Sequence, residues 1–288
     1  MSVINTNIRA LTSTNAMAAN ERAMQKTMQS LSTGSSINKA SDNAAGLSVR
    51  ENMTAQITGL NAAVRNANDA INMLQTADGS LNEVSDMMQR MRELGVLASN
   101  DTYSTAQKKS MDDEYQALVS EIDRIAANTQ WNKMNILTGS GGEVGLGSAF
   151  TFQIGANAGQ VITASIANQA IVSGTGTGAN AGQYGTLSAT GVTTGQLASA
   201  AVSRIDDALS SLNANRSKIG AVINRLEHAI SNLTNVAQNA TDSRSRVTDT
   251  DYSKATSDLA KQQIIAQAAT AILAQANQQP QSVLSLLK

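Results

Sequence analysis

Residues 202–247 read VSRIDDALSSLNANRSKIGAVINRLEHAISNLTNVAQNATDSRSRV, and this stretch decides the fold. Alternate steps of three and four residues from Val202 to Val247 meet only two side chains that are not apolar, Arg216 and Arg244. Because an α-helix turns once every 3.6 residues, this spacing keeps one narrow apolar stripe on one side of a helix. Such a stripe is typical of a helix that packs along another helix in a coiled coil. The segment therefore needs a partner helix.

The composition of the chain favours long helices. Its 288 residues are 41% hydrophobic but only 2% aromatic, and they include a single proline. Globular cores depend on large aromatic side chains, whereas helical bundles can be built from smaller ones, and proline breaks helix interiors. No run of 18 apolar residues predicts a membrane span, and the first residues lack the basic and apolar regions of a secretory signal. We expect a mainly helical protein that does not enter a membrane.

The chain shows no pattern of an enzyme or a nucleic-acid-binding protein. Its formal net charge is -1, and it lacks the block of basic residues that binding to phosphates requires. It has no cysteine and one histidine, His228, which excludes thiolate and multi-histidine metal sites. A phosphate-binding Gly-Lys loop is also absent. We predict no catalytic residue, no cofactor and no metal, and we interpret His228 as a surface residue of a helix.

Two helices and a connector are predicted in the first hundred residues. The apolar spacing indicates a helix over 4–31 and a long helix over 44–98, whose stripe shifts register after Gly79. The polar residues 34–43 form a connector between them. Candidate N-caps of the long helix are the last three polar side chains of this connector, Ser41, Asp42 and Asn43.

A third helix and a β-hairpin are predicted next. Ser104 and Gln107 fit a capping box, and the helix that they begin is expected to end near Asn128. Residues 149–154 and 160–166 alternate between apolar and polar side chains around a Gly-containing turn, which indicates a β-hairpin. The rest of 139–201 is rich in Gly, Thr, Ser and Ala and is expected to be an exposed surface segment.

The last helix is expected to start near Ser253 and to be stopped by Pro280. The predicted fold class is thus mainly α: a long antiparallel helical coiled-coil bundle formed by the N- and C-terminal segments, with a small β-hairpin insertion in the middle. The core bundle would comprise 44–138 and 202–248, and the terminal arms 1–33 and 249–288 would pair with each other through connectors at 34–43 and 244–252. The predicted seam of the bundle consists of apolar residues from both long helices: Ile57, Leu60, Val64, Ile71, Leu74, Ile205, Leu209, Leu212, Ile219, Ile223, Leu226, Ile230 and Leu233.

Several blocks of the sequence, found in order along nearly the whole chain, resemble those of bacterial flagellins. These blocks are Leu31–Gly34 with Ile37-Asn38, Asp42–Leu47, Ser80–Val84, Gln89–Leu94, Phe152–Asn157, Gly220–Leu226, Ser243–Val247, Asp251-Tyr252 and Ala274–Gln278. The resemblance implies the structural subunit of a swimming filament outside the cell, a helical homopolymer that is exported unfolded by a type III apparatus. It also implies an export chaperone, a filament cap and hook-associated proteins as partners. In that family the terminal arms order on assembly.

The resemblance further implies a surface that contacts neighbouring subunits and that the flagellin-sensing Toll-like receptor of vertebrates recognises. By position it would comprise Gln89, Arg90, Arg92, Glu93, Leu94 and Glu114. Candidates for O-glycosylation are the hydroxyl side chains of the exposed segment, namely Ser173, Thr175, Thr177, Ser188, Thr190, Thr193 and Thr194. Two other functions share the helical pattern and stay open at this point: a hook-filament junction protein, and a secreted helical effector or adhesin.

Overall fold

The computed structural model describes residues 7–137, 148–166 and 191–285. Its helices are α1 (Ile8–Thr33), α2 (Ala44–Ala98), α3 (Thr105–Asn128), α4 (Gly195–Thr248) and α5 (Tyr252–Ser285). Its strands are β1 (Gln130–Trp131), β2 (Met134–Asn135), β3 (Ser148–Gln153) and β4 (Val161–Ile166). The predicted fold class, helices from both ends of the chain with a small hairpin between them, is confirmed. Within the described ranges, none of the helices combines the length and the apolar character needed to cross a membrane.

The chain divides into two units. We call Met1–Ile57 with Gln238–Lys288 the terminal unit, and Thr58–Ala237 the bundle unit. Both long helices, α2 and α4, contribute one part to each unit, and we describe each unit by itself.

In the bundle unit, α2 and α4 run antiparallel with α3 beside them. Arg92 of α2 contacts Asp206 of α4 at 2.7 Å, and Asp78, almost four turns earlier on α2, contacts Arg216, almost three turns later on α4, at 2.9 Å. Close packing accompanies the pairing, because a Cβ added to Gly95 would lie 2.8 Å from the side chain of Val202. The antiparallel α2–α4 pair therefore supplies the partner that the spacing of residues 202–247 requires.

The shift of the α2 stripe after Gly79 is visible in the burial of side chains. Leu81, Val84, Met88 and Met91 are all completely buried. Gly79 itself has open space around the position of a Cβ atom. The core thus continues through the change of register, and the buried side chains of α2 extend to Ala98 at its end.

Helix α3 begins and ends where the sequence predicts. The Ser104 hydroxyl accepts from the backbone N–H of Gln107, and the Gln107 side chain accepts from the backbone N–H of Ser104, so the capping box is complete. Tyr115 and Ile122 on this helix are completely buried in the core of the bundle. After Asn128 the chain turns back at Asn132 and Lys133, which both have positive φ, in the two-stranded sheet β1–β2 that the sequence did not predict.

The predicted β-hairpin is present, with each strand about one residue from its expected bounds. Strands β3 and β4 pair antiparallel, with Phe152 opposite Ile162 and Phe150 opposite Ala164. Side chains of β4 alternate strictly between exposed and buried, with Ile162, Ala164 and Ile166 buried. The hairpin therefore covers the core with one face, as period-two patterning requires.

In the terminal unit, α1 and α5 pair, as expected, and the connector between α1 and α2 is a compact junction. The Ser36 amide donates to the Thr248 carbonyl at 2.7 Å, and Ile37 is buried. A Cβ added to Gly46 would lie 2.6 Å from the Cδ1 atom of Ile37, so a larger residue has no room there. Of the three candidate caps of α2, Asn43 fills the role, since its Oδ1 accepts from the Gly46 amide at 2.9 Å.

Three predicted boundaries differ from the structure. Helix α5 continues past Pro280 to Ser285, so the prediction that Pro280 stops it is wrong. Helix α4 begins at Gly195, which makes 195–201 helical although they were assigned to the surface segment. Residues 244–248, assigned to the connector, form the last turn of α4.

The continuation of α5 has a local physical reason. Proline has no backbone N–H, so a proline inside a helix leaves the carbonyl four residues earlier without its usual donor. For Pro280 that carbonyl belongs to Ala276, and the side-chain amide of Asn7 donates to it at 2.9 Å. The hydrogen bond that the helix loses is thereby replaced from α1.

Candidate assembly and recognition surfaces

Polar side chains set the alignment of α1 with α5. The side-chain amide of Asn7 donates to the Ala276 carbonyl, and that of Asn20 donates to the Gln262 carbonyl, both at 2.9 Å. The Gln262 amide in turn donates to the Thr27 hydroxyl at 3.2 Å. Asn7 also accepts from the Ala10 amide and so caps α1. These hydrogen bonds fit only one antiparallel register of the two helices.

The same two helices leave their large apolar side chains uncovered. Ile8, Leu11, Met28, Ile264 and Ile272 each keep 54–66% of their accessible surface. Among the described side chains of α1 and α5, the buried ones are small: Ser30, Ala255 and Ala276. Uncovered apolar side chains of this number mark surfaces that another molecule covers. The α1–α5 pair therefore lacks a core of its own.

The predicted seam lies along the inner faces of α2 and α4. Seven of its members are buried: Ile57, Leu60, Leu74, Ile205, Leu212, Ile219 and Leu226. Six are partly buried: Val64, Ile71, Leu209, Ile223, Ile230 and Leu233. The buried face is wider than the predicted stripe, since it also includes Ala63, Ala70, Ala77, Ala201 and Ala208. Small residues thus line the side of the seam that the step of three and four residues did not mark.

The polar interruptions of the two stripes meet each other. Asp78 occupies the one polar slot of the α2 stripe before Leu81, and its carboxylate accepts from Arg216, the first polar slot of the α4 stripe, at 2.9 Å. The hydrogen bond that Arg216 donates to Asp78 raises the pKa of its guanidinium. A polar pair inside a helical seam favours the register in which both members are satisfied. In the terminal unit, Arg244 likewise donates to the Thr54 hydroxyl, at 3.5 Å.

Three of the predicted recognition residues form one exposed ion-pair network between α2 and α3. The Arg90 guanidinium contacts Glu114 at 2.9 Å and Glu93 at 2.6 Å. The hydrogen bonds to Glu114 and then to Glu93 raise the pKa of Arg90. All three side chains are about half exposed. The network is therefore accessible to a partner and always charged on Arg90.

The other three predicted recognition residues have different surroundings. Arg92 pairs with Asp206 of α4 at 2.7 Å, which raises the pKa of Arg92 and turns it away from the Arg90 network. Gln89 is exposed, and its side-chain amide donates to the Ser85 hydroxyl at 3.5 Å. Leu94 is 2% exposed and belongs to the core, so its side chain is not available to a partner. The structure thus divides the six predicted residues among two surfaces and the core.

Most of the predicted glycosylation residues lie outside the described residues, namely Ser173, Thr175, Thr177, Ser188 and Thr190. Of the remaining two, Thr194 is exposed and its hydroxyl accepts from the Leu197 amide at the start of α4, and Thr193 is partly buried. His228 is exposed on α4.

Sequence reasoning missed the polar groups that join distant parts of the chain. Asp112 of α3 accepts from the Val192 amide at 2.7 Å and holds the completely buried Val192 just before α4 begins. Asp206 and Asn7 are further examples, as the partners of Arg92 and of the Ala276 carbonyl. A single carboxylate or amide on a helix carries no signal for a partner that lies 80 or more residues away.

The observations above define a class of protein: a structural helical subunit whose two chain ends pair and whose terminal helices expose surface for further copies. The comparisons identify the family. The N-terminal helical region of bacterial flagellin matches residues 4–141, and its C-terminal helical region matches residues 202–287. The chain belongs to the bacterial flagellin family. It is a structural subunit of the flagellar filament, which polymerises with itself and serves motility.

Individual relatives agree over the whole length. The chain is 40% identical over 286 residues to the flagellin of Halalkalibacterium halodurans, covering 99% of this chain and 100% of that protein. It is 39% identical over 292 residues to the flagellar filament 33 kDa core protein of Treponema phagedenis, with the same coverage. Among solved structures, the flagellin of Bacillus cereus matches with 27% identity and a TM-score of 0.47, covering 59% of this chain and 88% of that one.

One prediction concerns the junction between α1 and α2. The Asp42 carboxylate contacts Lys26 at 3.0 Å and accepts from the backbone amides of Asn38 and Lys39. The hydrogen bond from Lys26, followed by that from the Lys39 amide, lowers the pKa of Asp42 below its ordinary value of 3.8. A carboxyl whose pKa is lowered by folding stabilises the folded state above its unfolded pKa and loses that effect as the pH falls through the folded pKa.

In assembled filaments, we therefore expect Asp42→Asn to speed hydrogen exchange of the Asn38 and Lys39 amides at neutral pH. The ratio of variant to wild-type exchange rates should fall towards one as the pH drops below about 4, because protonation then removes the same charge from the wild type. Asp113→Asn, at a carboxylate that is 69% exposed, is the matched control and should leave both amides unchanged. A ratio that does not depend on pH would contradict this role of Asp42.

Proposed function

We propose that α1 and α5 are the segments through which this subunit assembles, and that they become fully ordered only when neighbouring copies cover them. In this proposal, residues 1–33 and 252–288 form the inner coiled coil of the filament, residues 34–43 and 249–251 connect it to the core, and residues 44–138 and 195–248 form a core that folds in the single chain. Residues 139–194 would form the hairpin and the surface segment. The observation that carries the proposal is the set of large apolar side chains left uncovered on both terminal helices.

Helices α1 and α5 bury little apolar area against each other. A helix pair in which only small side chains are buried gains little from the removal of apolar surface from water. Ordering such helices costs conformational entropy, which the pair alone offsets poorly. Additional copies would cover Ile8, Leu11, Ile264 and Ile272 and supply the missing area. Coupled folding and association of this kind is typical of segments that order on binding.

Elongation from seeds tests the proposal. Purified monomer added to short filaments should lengthen them into long tubes seen by negative-stain electron microscopy. Deletion of residues 253–288 should abolish elongation, while urea unfolding followed by the fluorescence of Trp131, the single tryptophan of the chain, should show an intact bundle unit. Unimpaired growth of the truncated protein would overturn the proposal.

A point variant refines the test without shortening the chain. Ile264 is 66% exposed, and we expect Ile264→Asp to slow elongation at least about ten-fold, because a buried unpaired carboxylate in a contact between copies is costly. Gln263→Asp introduces the same charge at the neighbouring exposed position and is the matched control. Equal elongation rates of the two variants would show that the exposed isoleucine does not enter a contact between copies.

The finer partners follow from membership of the family. We propose that the chain is exported unfolded by the flagellar type III apparatus with an export chaperone, and is added beneath a filament cap onto hook-associated proteins, outside the cell. Its composition supports passage as an unfolded chain, since it forms no disulfides and has one proline whose slow isomerisation could delay folding. Co-purification of the unassembled chain with the chaperone, lost on removal of residues 253–288, would support this proposal.

We also propose recognition by the vertebrate receptor that senses flagellin. The exposed network of Arg90, Glu93 and Glu114, with Gln89 beside it and Arg92 on the adjoining flank, presents fixed charges on a rigid helix pair. Purified monomer should activate cells that carry the receptor, and Arg90→Ala should weaken that activation. Arg124→Ala removes an arginine of α3 that is outside the predicted recognition set and is the control. A monomer without activity, or an Arg90→Ala variant that is as active as wild type, would overturn this proposal.

O-glycosylation at the predicted Ser and Thr residues is decided by the intact mass of subunits from native filaments. A mass equal to that of the bare sequence excludes glycans. Added sugar masses on Thr193 or Thr194 would place the glycans beside α4.

A further inference from the structure

Charge is segregated between the two long helices of the bundle unit. Between residues 66 and 89, α2 carries only carboxylates among its charged side chains, namely Asp69, Asp78, Glu83 and Asp86. Between residues 208 and 226, α4 carries only basic ones, namely Arg216, Lys218 and Arg225. The ion pair of Asp78 with Arg216 shows that these two segments lie at the same level of the bundle. At that level, one long helix is acidic and its antiparallel neighbour is basic.

At this level of the bundle, ion pairing joins one carboxylate of α2 with one cation of α4, and Asp86 also interacts electrostatically with Arg216 without forming an ion pair. Asp78 and Arg216 neutralise each other at 2.9 Å, which leaves Asp69, Glu83 and Asp86 on α2 and Lys218 and Arg225 on α4. All five of these side chains are exposed. Within the ranges that the structure describes, none of them takes part in an ion pair of 4.0 Å or less.

The remaining charges form two surfaces of opposite sign. Glu83 and Asp86 are three residues apart and share one face of α2, and we call them, with Asp69, the acidic surface. Lys218 and Arg225 are seven residues, two helical turns, apart and share one face of α4, and we call them the basic surface. Other exposed charges of the bundle, such as those of Lys109 and Arg124, are paired with carboxylates on their own helix. Arg65, Asp207 and Glu227 are also exposed and outside these ion pairs, but the two surfaces are where unpaired charges of one sign follow each other along a helix.

We propose that the acidic surface of one subunit contacts the basic surface of the laterally adjacent subunit in the filament. The inference rests on the proposed function, because it requires that copies of the chain lie side by side. A helical polymer uses heterologous contacts, in which one surface of each copy meets a different surface of the next. Opposite charge on two different surfaces suits such a contact.

The same charges disfavour the alternative arrangement. A two-fold symmetric contact centred on either surface would bring that surface against its own copy, and like charges repel. Charge therefore favours the arrangement of subunits in which α2 of one copy faces α4 of the next. Exposed charges act mainly on specificity and on the rate of association, and salt screens them. The apolar contacts of α1 and α5 hold the polymer together, and the two charged surfaces orient the subunit that arrives.

Charge reversal on each surface, and then on both, tests the proposal. The variants are Lys218→Glu with Arg225→Glu, Glu83→Lys with Asp86→Lys, and all four changes in one chain. Elongation of seeds made from the same variant is followed by electron microscopy at low and high salt. At low ionic strength, we expect each double variant to elongate about ten-fold more slowly than wild type, and the quadruple variant to recover to within about two-fold, because its two surfaces are again opposite in sign. At about 0.5 M salt, the differences should shrink.

Controls separate this contact from changes in folding and from failure of the terminal arms. Lys109→Glu with Arg124→Glu changes the net charge as the basic-surface variant does, at side chains that are 72% and 60% exposed, and should elongate like wild type. Urea unfolding followed by Trp131 fluorescence shows that each variant keeps its bundle. Double variants that elongate as fast as wild type, or a quadruple variant no better than the doubles, would overturn the proposal. Loss of elongation on deletion of 253–288 concerns the arms alone, because that deletion leaves both charged surfaces intact.

Discussion

Leu81→Ala is expected to lower the free energy of unfolding of the bundle unit by about 2–5 kcal/mol. Leu81 is completely buried and lies where the apolar stripe of α2 resumes after its change of register at Gly79. Removing its branched end takes apolar area out of the core and leaves a cavity, and the close-packed side chains around it can close that cavity only in part.

Trp131 makes this loss measurable in the full-length chain. It packs against the core of the bundle unit and is the single tryptophan, so its fluorescence in urea reports the unfolding of that unit and not of the terminal helices. Leu197→Ala makes the same chemical change on α4 at a side chain that is 42% exposed, and should alter the free energy of unfolding by less than about 0.5 kcal/mol. A similar effect of the two substitutions would mean that the stripe does not form the core.

The seam and the helix ends could be predicted because their signals are local. The step of three and four residues identified α2, α3 and α4, and the side chains of Ser104 and Gln107 identified the start of α3 before its partners were known. The break in the α2 stripe at Gly79 was also visible, since side chains before and after it keep the step in two different registers. Each of these features depends on residues no more than a few turns apart.

Pairings between distant residues could not be predicted in the same way. Arg216 was recognised as a polar member of an apolar stripe, but its contact with Asp78, 138 residues away in sequence, depends on the register of two helices. Pro280 illustrates the opposite error, because the rule that proline ends a helix ignored a donor from α1. The recognition set inferred from the family resemblance included Leu94, whose position on α2 places it on the core side.

Alanine is the residue type for which the sequence was least informative. It has a high intrinsic helix propensity on any face of a helix, and its small side chain carries little information about burial. Ala67 and Ala77 are completely buried, while Ala221 is exposed, although all three lie inside long helices. The predicted stripe, which included Ala67, therefore covered only part of a wider buried face, and the close packing around alanines outside it, such as Ala77, became apparent only in three dimensions.

The close packing around Ala77 leads to the second prediction of a large change in the free energy of unfolding. Ala77→Leu is expected to lower the free energy of unfolding of the bundle unit by about 1–3 kcal/mol, because the added carbon atoms enter a face that is already filled and force neighbouring side chains or the helices to move. On propensity alone, the substitution would be almost neutral. Ala221→Leu makes the same change at an exposed position of α4 and should leave the free energy of unfolding within about 0.5 kcal/mol of wild type. Urea unfolding followed by Trp131 fluorescence compares the two variants directly. If Ala77→Leu proved as harmless as Ala221→Leu, the helices would have spare room along the alanines, and the large residues of the seam alone would set their distance.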